Sequence, residues 1–202
     1  MAKKHDIIWL DSIDSTNEEA RRRISTLDNL SVVAVRCQTA GRGQGTNSWE
    51  SAPGENLTFS VVLKNLDILP NQQIAISQIT SLSIVEFLEH HGIEARIKLP
   101  NDIYVGAKKI CGILIENSIR SNRIVWSIIG IGINVNQTIF PSSLPNPTSI
   151  LLEKDIHKLN LDHELTQFHK VYSSYYTKYI NSRSETNLAE LDQLFKSKLI
   201  CI

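Results

Sequence analysis

"KLPNDIYVGAKKICGILIE", residues 98–116, decides how the rest of the chain is read. Alternating and apolar residues lie on both sides of GAKK, residues 106–109. The pattern predicts a strand over 95–105, a turn, and a return strand over 110–117, so a hairpin is expected. The outgoing strand is interrupted at Leu99-Pro100, since proline offers no ladder donor and is tolerated only at an edge or an irregularity. That interruption presents Lys98, then Asn101 and Asp102. An edge strand with a solvated lysine accounts for it as well as a functional break does. On the return strand Gly112 cuts an apolar run, the mark of a bulge or a close backbone approach.

Working outward, residues 6–10, 31–37, 57–64 and 123–136 read as strands, rich in β-branched residues or alternating. Ser15 or Thr16 is placed to cap a helix, with Glu18 and Glu19 in its first turn where the helix dipole favours acid. From Gln72 to His91 the residues Ile74, Ile79, Leu82, Val85, Phe87 and Leu88 fall roughly on one helical face, and Gly92 is a natural stop. After a proline-rich loop at 141–147, helices are expected over 162–180 and 186–198. Strands grouped before helices, with one long helix among them, predict an α+β fold. Its sheet is mixed or antiparallel, with helices packed on one side.

The 202 residues suit one sizeable domain, and an apolar content of 42% is enough for a real core. Lysine and arginine number 21, as do aspartate and glutamate, which argues against non-specific nucleic-acid binding. No apolar run is long enough for a membrane span, and the first residues lack the pattern of a secretory signal. Cys37, Cys111 and Cys201 form no CxxC, which disfavours a disulfide framework or structural zinc and points to the reducing cytoplasm. Cys111 reads as a small core residue, Arg21-Arg22-Arg23 as a solvated helix face, and the tail tyrosines as helix packing.

"QTAGRGQGTNSWE", residues 38–50, fits neither common phosphate loop. No lysine follows as a Walker loop needs, and the spacing is GxGxG ahead of a strand, not GxGxxG ahead of a helix. A plain surface loop is the simplest account. Against it stand Arg42, whose fork of donors suits phosphate or carboxylate, and Trp49, a ring seldom left on a loop tip. So glycine-rich a loop is expected to order only when a ligand supplies contacts. Gly112, Gly130 and Gly132 suggest a sheet face kept clear for a flat ligand, with barrel-like bending as the competing account.

In order and spacing, "DSTN" (14–17), "QTAGRGQGTNSWE" (38–50), "KLPNDIYVGAKKICGILIE" (98–116) and "IGIGINVN" (129–136) resemble the successive signatures of biotin protein ligases. The resemblance implies the α+β catalytic domain of biotin and lipoate ligases over residues 1–198, with no winged helix before it and no SH3-like domain after it. It implies ATP- and Mg²⁺-dependent conversion of biotin to biotinyl-5′-AMP. Transfer to a lysine of the biotin carboxyl carrier protein of acetyl-CoA carboxylase follows, without DNA or membrane contact. Lys98 is implied to bridge the biotin carboxylate and the phosphate, with Arg42 as the second catalytic cation. Ser15, Thr16, Asn17, Gln38, Gly41, Gly43, Gln44 and Gly112 are implied to contact biotin, Arg42 and Lys98 with them. Trp49 and Asn134 are implied to hold the nucleotide, together with Arg42, Gln44 and Lys98. Asp102 is the one carboxylate implied near Mg²⁺, which otherwise rides on the phosphates. A weak edge-to-edge homodimer is the oligomer that the resemblance suggests. Two departures stand out. Gln44, Gly45 and Asn47 replace later cations of the family loop, implying a leakier lid, and Leu99 replaces a tryptophan. A lipoate or octanoate ligase, or a non-catalytic biotin- or nucleotide-binding domain, are the alternatives.

Overall fold

Runs of β-branched residues become strands wherever a neighbour can complete their ladder. The computed structural model describes residues 6–154, 156–182 and 184–200. They fall into two compact units, one of residues up to Gln72 with Gly112–Ile133, the other of Gln73–Cys111 with residues from Asn134 onward.

The first unit contains β1 (Ile7–Ile13), α1 (Thr16–Arg22), β2 (Val32–Gln38), β3 (Leu57–Ile68), most of β6 (Lys108–Arg120) and β7 (Arg123–Ile133). Its strands lie in the order β1-β2-β3-β7-β6. β1 and β2 are parallel, joined through α1, whereas β2–β3 and β3–β7 are antiparallel. Ala20, Leu27, Val33, Val62 and Ile128 form a buried cluster, with Ile8, Leu10, Ile24 and Trp126 against it. Beyond α1, Lys64 Nζ donates to the carbonyls of Ile24 and Leu27 at 2.8 and 2.7 Å, so a cation satisfies carbonyls that the helix leaves open.

The second unit contains α2 (Ile74–His90), β4 (Arg96–Lys98), β5 (Asp102–Val105), the start of β6, α3 (Ile150–Glu153), α4 (Leu161–Tyr175) and α5 (Glu185–Ser197). Here the expected interrupted strand is a hairpin of its own. β4 and β5 pair antiparallel with Lys98 opposite Asp102, and the chain reverses through Leu99, Pro100 and Asn101. Proline and asparagine are turn formers, and that preference overrides the alternation that suggested one continuous strand. At the other side of β4, Ile97 N–H donates to Lys198 O at 2.8 Å and Ile200 N–H to Ile97 O at 2.9 Å.

α2 is buried nearly all round, not on one face: Thr80, Ser81 and Ser83 are as enclosed as Ile76 and Leu82. The small polar residues tolerate this because Thr80 and Ser83 donate to the carbonyls of Ile76 and Ile79, each at 2.7 Å. α4 and α5 both pack on α2. The helix expected over 162–180 is α-helical to Tyr175 and then widens to a π-helical stretch, Tyr176–Asn181. Counted through β6, which contributes residues to both units, the strands make a mixed seven-stranded sheet with helices, as the sequence predicts. No helix among the described residues is long and apolar enough to cross a membrane. Burial pushes the Cys111 thiol far above its usual pKa, fitting a core residue; Cys201 lies outside the described residues.

Candidate active site

In the first unit the start of α1 is held by side chains from β2 and β3. Ser15 occupies the N-cap position, yet its side chain makes no capping bond. Gln38 Oε1 accepts from Thr16 N–H at 2.9 Å instead, and Asp14 Oδ1 accepts from Ser15 N–H at 2.7 Å. The capping predicted for Ser15 or Thr16 is thus supplied by an amide from β2 and the preceding aspartate.

Asn17 is only 2% exposed, and both ends of its amide are used. Its Oδ1 accepts from Ser60 Oγ at 2.6 Å, and that hydroxyl lies 2.8 Å from Thr16 Oγ1. Its Nδ2 donates to Leu114 O at 3.3 Å and to Glu116 Oε2 at 2.7 Å. Gly130 makes room for this: a Cβ there would stand 2.5 Å from Asn17 Oδ1. The glycine face expected to be clear is therefore partly occupied by the protein's own side chains.

The flap over 40–50 is a small hairpin, and not the structureless loop its glycines suggest. Arg42 bridges Ser48, Gly43 N–H donates to Asn47 O at 2.7 Å, and Asn47 N–H to Gln44 O at 3.2 Å. Gly45 takes the turn at φ +65°. Trp49 N–H returns to Gly41 O at 3.1 Å, and the Trp49 indole lies on Gly132, where a Cβ would come within 2.2 Å of the ring. A bare backbone beneath a ring, closed by a tight turn, replaces the order that a ligand was expected to supply.

Arg42 sits beside α1 and β6. Its Nη2 lies 2.8 Å from Glu18 Oε1 and 2.9 Å from Glu116 Oε2. Arg21 joins the same group, Nη2 at 2.8 Å from Glu116 Oε1 and Nη1 at 3.2 Å from Glu18 Oε1. Partial burial alone would raise the Glu116 carboxyl. Hydrogen bonds from Asn17 and Arg21, with the charge of Arg42, outweigh it and hold the pKa below the usual glutamate value. The run Arg21-Arg22-Arg23 is accordingly not an open basic patch, since Arg22 pairs with Asp14 and Glu19, and Arg23 with Glu19. Gly112 is half-buried in β6.

The second unit holds the remaining candidates. Lys98, exposed at the end of β4, donates from Nζ to Tyr104 Oη at 3.3 Å and lies 4.6 Å from the centre of that ring. Asp102 is paired with Lys109 at 2.7 Å. Asn134 is buried and donates from Nδ2 to Thr148 O at 2.8 Å, tying down the loop before α3. No group of three or more metal-ligating side chains occurs among the described residues. Glu18, Ser60 and Glu116 are the members that sequence reasoning passed over. Glu116 closes the quoted hairpin stretch, but nothing local to it points to Asn17 or Arg42.

The model of the biotin/lipoate A/B protein ligase family matches residues 9–134. The bifunctional ligase/repressor BirA of Bacillus spizizenii is 33% identical over 179 residues, 85% of this chain and 55% of that protein. Biotin–protein ligase 1, chloroplastic, of Arabidopsis thaliana is 31% identical over 134 residues, 64% of this chain and 36% of that protein. The chain thus spans about half the length of the relatives it matches, or less. Among solved structures, the biotin protein ligase from Aquifex aeolicus in complex with biotin and ATP superposes with a TM-score of 0.80 at 27% identity, covering 96% of this chain and 78% of that one.

Proposed function

Since the chain belongs to the biotin/lipoate A/B protein ligase family, we propose that it activates biotin with ATP and passes it to a carrier lysine. A biotin carboxylate oxygen bonds to the α-phosphorus, the bond to the bridging oxygen of the β-phosphate breaks, and pyrophosphate leaves. The carrier amine then bonds to the acyl carbon of biotinyl-5′-AMP, the bond to the AMP oxygen breaks, and AMP departs as the amine loses a proton. Two anions have to be brought together in the first step, so cations and oriented donors supply most of the catalysis.

The observation that carries this reading is the fixed polar group of the first unit. Thr16, Asn17 and Gln38, oriented by Ser60, Glu116 and one another, lie beside a flap bearing Arg42. A ureido head asks for such donors and acceptors, whereas a flexible lipoyl chain asks for an apolar slot. In this reading Ser15, Thr16, Asn17 and Gln38 line the biotin pocket, with Gly112 in its floor. Gly41, Arg42, Gly43 and Gln44 close over the carboxylate and the phosphate, Lys98 bridges these two anions, and Trp49 and Asn134 serve the nucleotide. Mg²⁺ would enter on the triphosphate as part of the substrate, with Asp102 the one carboxylate assigned to it. The acceptor is a biotin carboxyl carrier domain, and the setting is the reducing cytoplasm, consistent with Cys37 and Cys111 standing outside any disulfide. With acids and bases at 21 each, no DNA contact is included.

The test is transfer. The chain is incubated with ATP and Mg²⁺, in parallel with biotin and a biotin carboxyl carrier domain and with lipoate and a lipoyl domain. Modification of the biotin carrier alone is expected. Modification of the lipoyl domain alone would move the chain to the lipoate branch, and modification of neither would leave a binding domain.

A further inference from the structure

Arg42 grips an anion most firmly on two nitrogens at once, and a planar guanidinium offers two such edges, Nη1 with Nη2 and Nε with Nη2. Both edges include Nη2. That nitrogen hydrogen-bonds Glu116 Oε2 at 2.9 Å and lies 2.8 Å from Glu18 Oε1. With two carboxylate oxygens within 3 Å of the nitrogen that both edges share, neither edge accepts a second anion in full. The Arg42 side chain is nonetheless 41% exposed, so an anion from solution can reach it.

The two glutamates are themselves held. Glu116 is tied by Asn17 and Arg21, and Glu18 by Arg21, which contacts both of its oxygens at 3.2 and 3.3 Å. The group of Arg21, Arg42, Glu18 and Glu116 balances two positive against two negative charges, so an arriving carboxylate finds no net attraction until one glutamate yields. Resting on the function proposed above, we infer that Glu18 and Glu116 form a latch on Arg42 that the ligand's anion must displace to be gripped on two nitrogens. They are positioning residues, acting on the ligand through the arginine. Their effect is selective: a ligand with an anionic end competes for Arg42, and a neutral analogue does not. Displacing one carboxylate also frees the flap from α1 or from β6, so anion binding and flap movement become one event.

Calorimetric titration of the whole chain with biotin and with biotinamide, its neutral counterpart, reads the latch. Glu18→Gln and Glu116→Gln each remove a charge, and the new side chain at 116 keeps an oxygen for Asn17 Nδ2. Biotin is expected to bind each variant about two- to fivefold tighter than wild type, the scale on which a part-exposed ion pair acts. Biotinamide is expected to show no such gain in either variant. Equal weakening of both ligands would make the glutamates mere structural supports, and unchanged biotin affinity in both variants would show that no competition exists; either result overturns the latch. If wild type binds neither ligand, the biotin reading itself fails. The latch is then read with pyrophosphate, which must bind both variants tighter and overturns the latch if it does not.

Discussion

Arg42 and Lys98 are the two cations on which the proposed chemistry rests, and their surroundings are opposite. Arg42 is shared by two carboxylates on a tight flap, whereas Lys98 meets the neutral ring and hydroxyl of Tyr104, with no carboxylate paired to it among the described residues. A phenol steadies an ammonium without cancelling its charge. The lysine is therefore ready for an anion at any time, and the arginine becomes ready only after an exchange of partners. In the proposed chemistry one cation is open to the substrate from the start, and the other is conditional on the ligand.

The largest effect expected from this contrast is at Lys98. Lys98→Ala should lower the rate of adenylate formation by about 10²–10³-fold, the usual cost of losing a main donor to transition-state charge. Its melting temperature should match wild type, because the side chain is exposed and supports no core. A loss under tenfold in the pyrophosphate-release rate would break the contrast at its stronger end.

The next test concerns what fixes the conditional side. Ser60→Ala leaves the buried Asn17 Oδ1 without its donor, which should cost about 1–3 kcal/mol of stability in denaturant titration. A change within experimental error would mean that the Asn17 amide, and with it Glu116, is not held through Ser60. Arg42→Ala should come third. A roughly tenfold rise in the KM for biotin is expected, with little change in kcat, since a cation already paired contributes only the difference between two partners. Should its kcat fall as far as that of Lys98→Ala, the two cations would be equivalent and the contrast would dissolve.

The smallest effect is one of pH. The folded pKa of Glu116 lies below its unfolded value, so its contribution is complete above the unfolded value and is lost as pH falls through the folded one. Melting temperature should therefore drop more steeply on acidification in wild type than in Glu116→Gln. Parallel curves would remove the ion pairs from the account.

Much of this arrangement was legible in the chain. Short β-branched runs and a long helical pattern carry local signals, and β1, β2, β3, β7 and α2 follow them. The misreadings share a cause. Residues 95–105 alternate like one strand, and only the turn chemistry of Pro100-Asn101 tells against it. Thr80 and Ser83 look like solvent-facing residues until their hydroxyls fold back on α2. The candidate site shows the same limit more sharply. Asn17 stands out in a short polar motif, but its partners Ser60 and Glu116 lie 43 and 99 residues away, and no local period connects them. Arg42 is conspicuous between two glycines, but its ion pairs depend on how α1 and β6 lie against the flap.

The measurement that bears most directly on the central claim is mass-spectrometric detection of biotinyl-5′-AMP, with the chain, biotin, ATP and Mg²⁺ present and every carrier absent. This acyl-adenylate is expected in the wild-type mixture, with about one equivalent of pyrophosphate, and close to none is expected with Lys98→Ala. Equal adenylate from both proteins, or none from a wild-type chain that binds biotin and ATP, would contradict it.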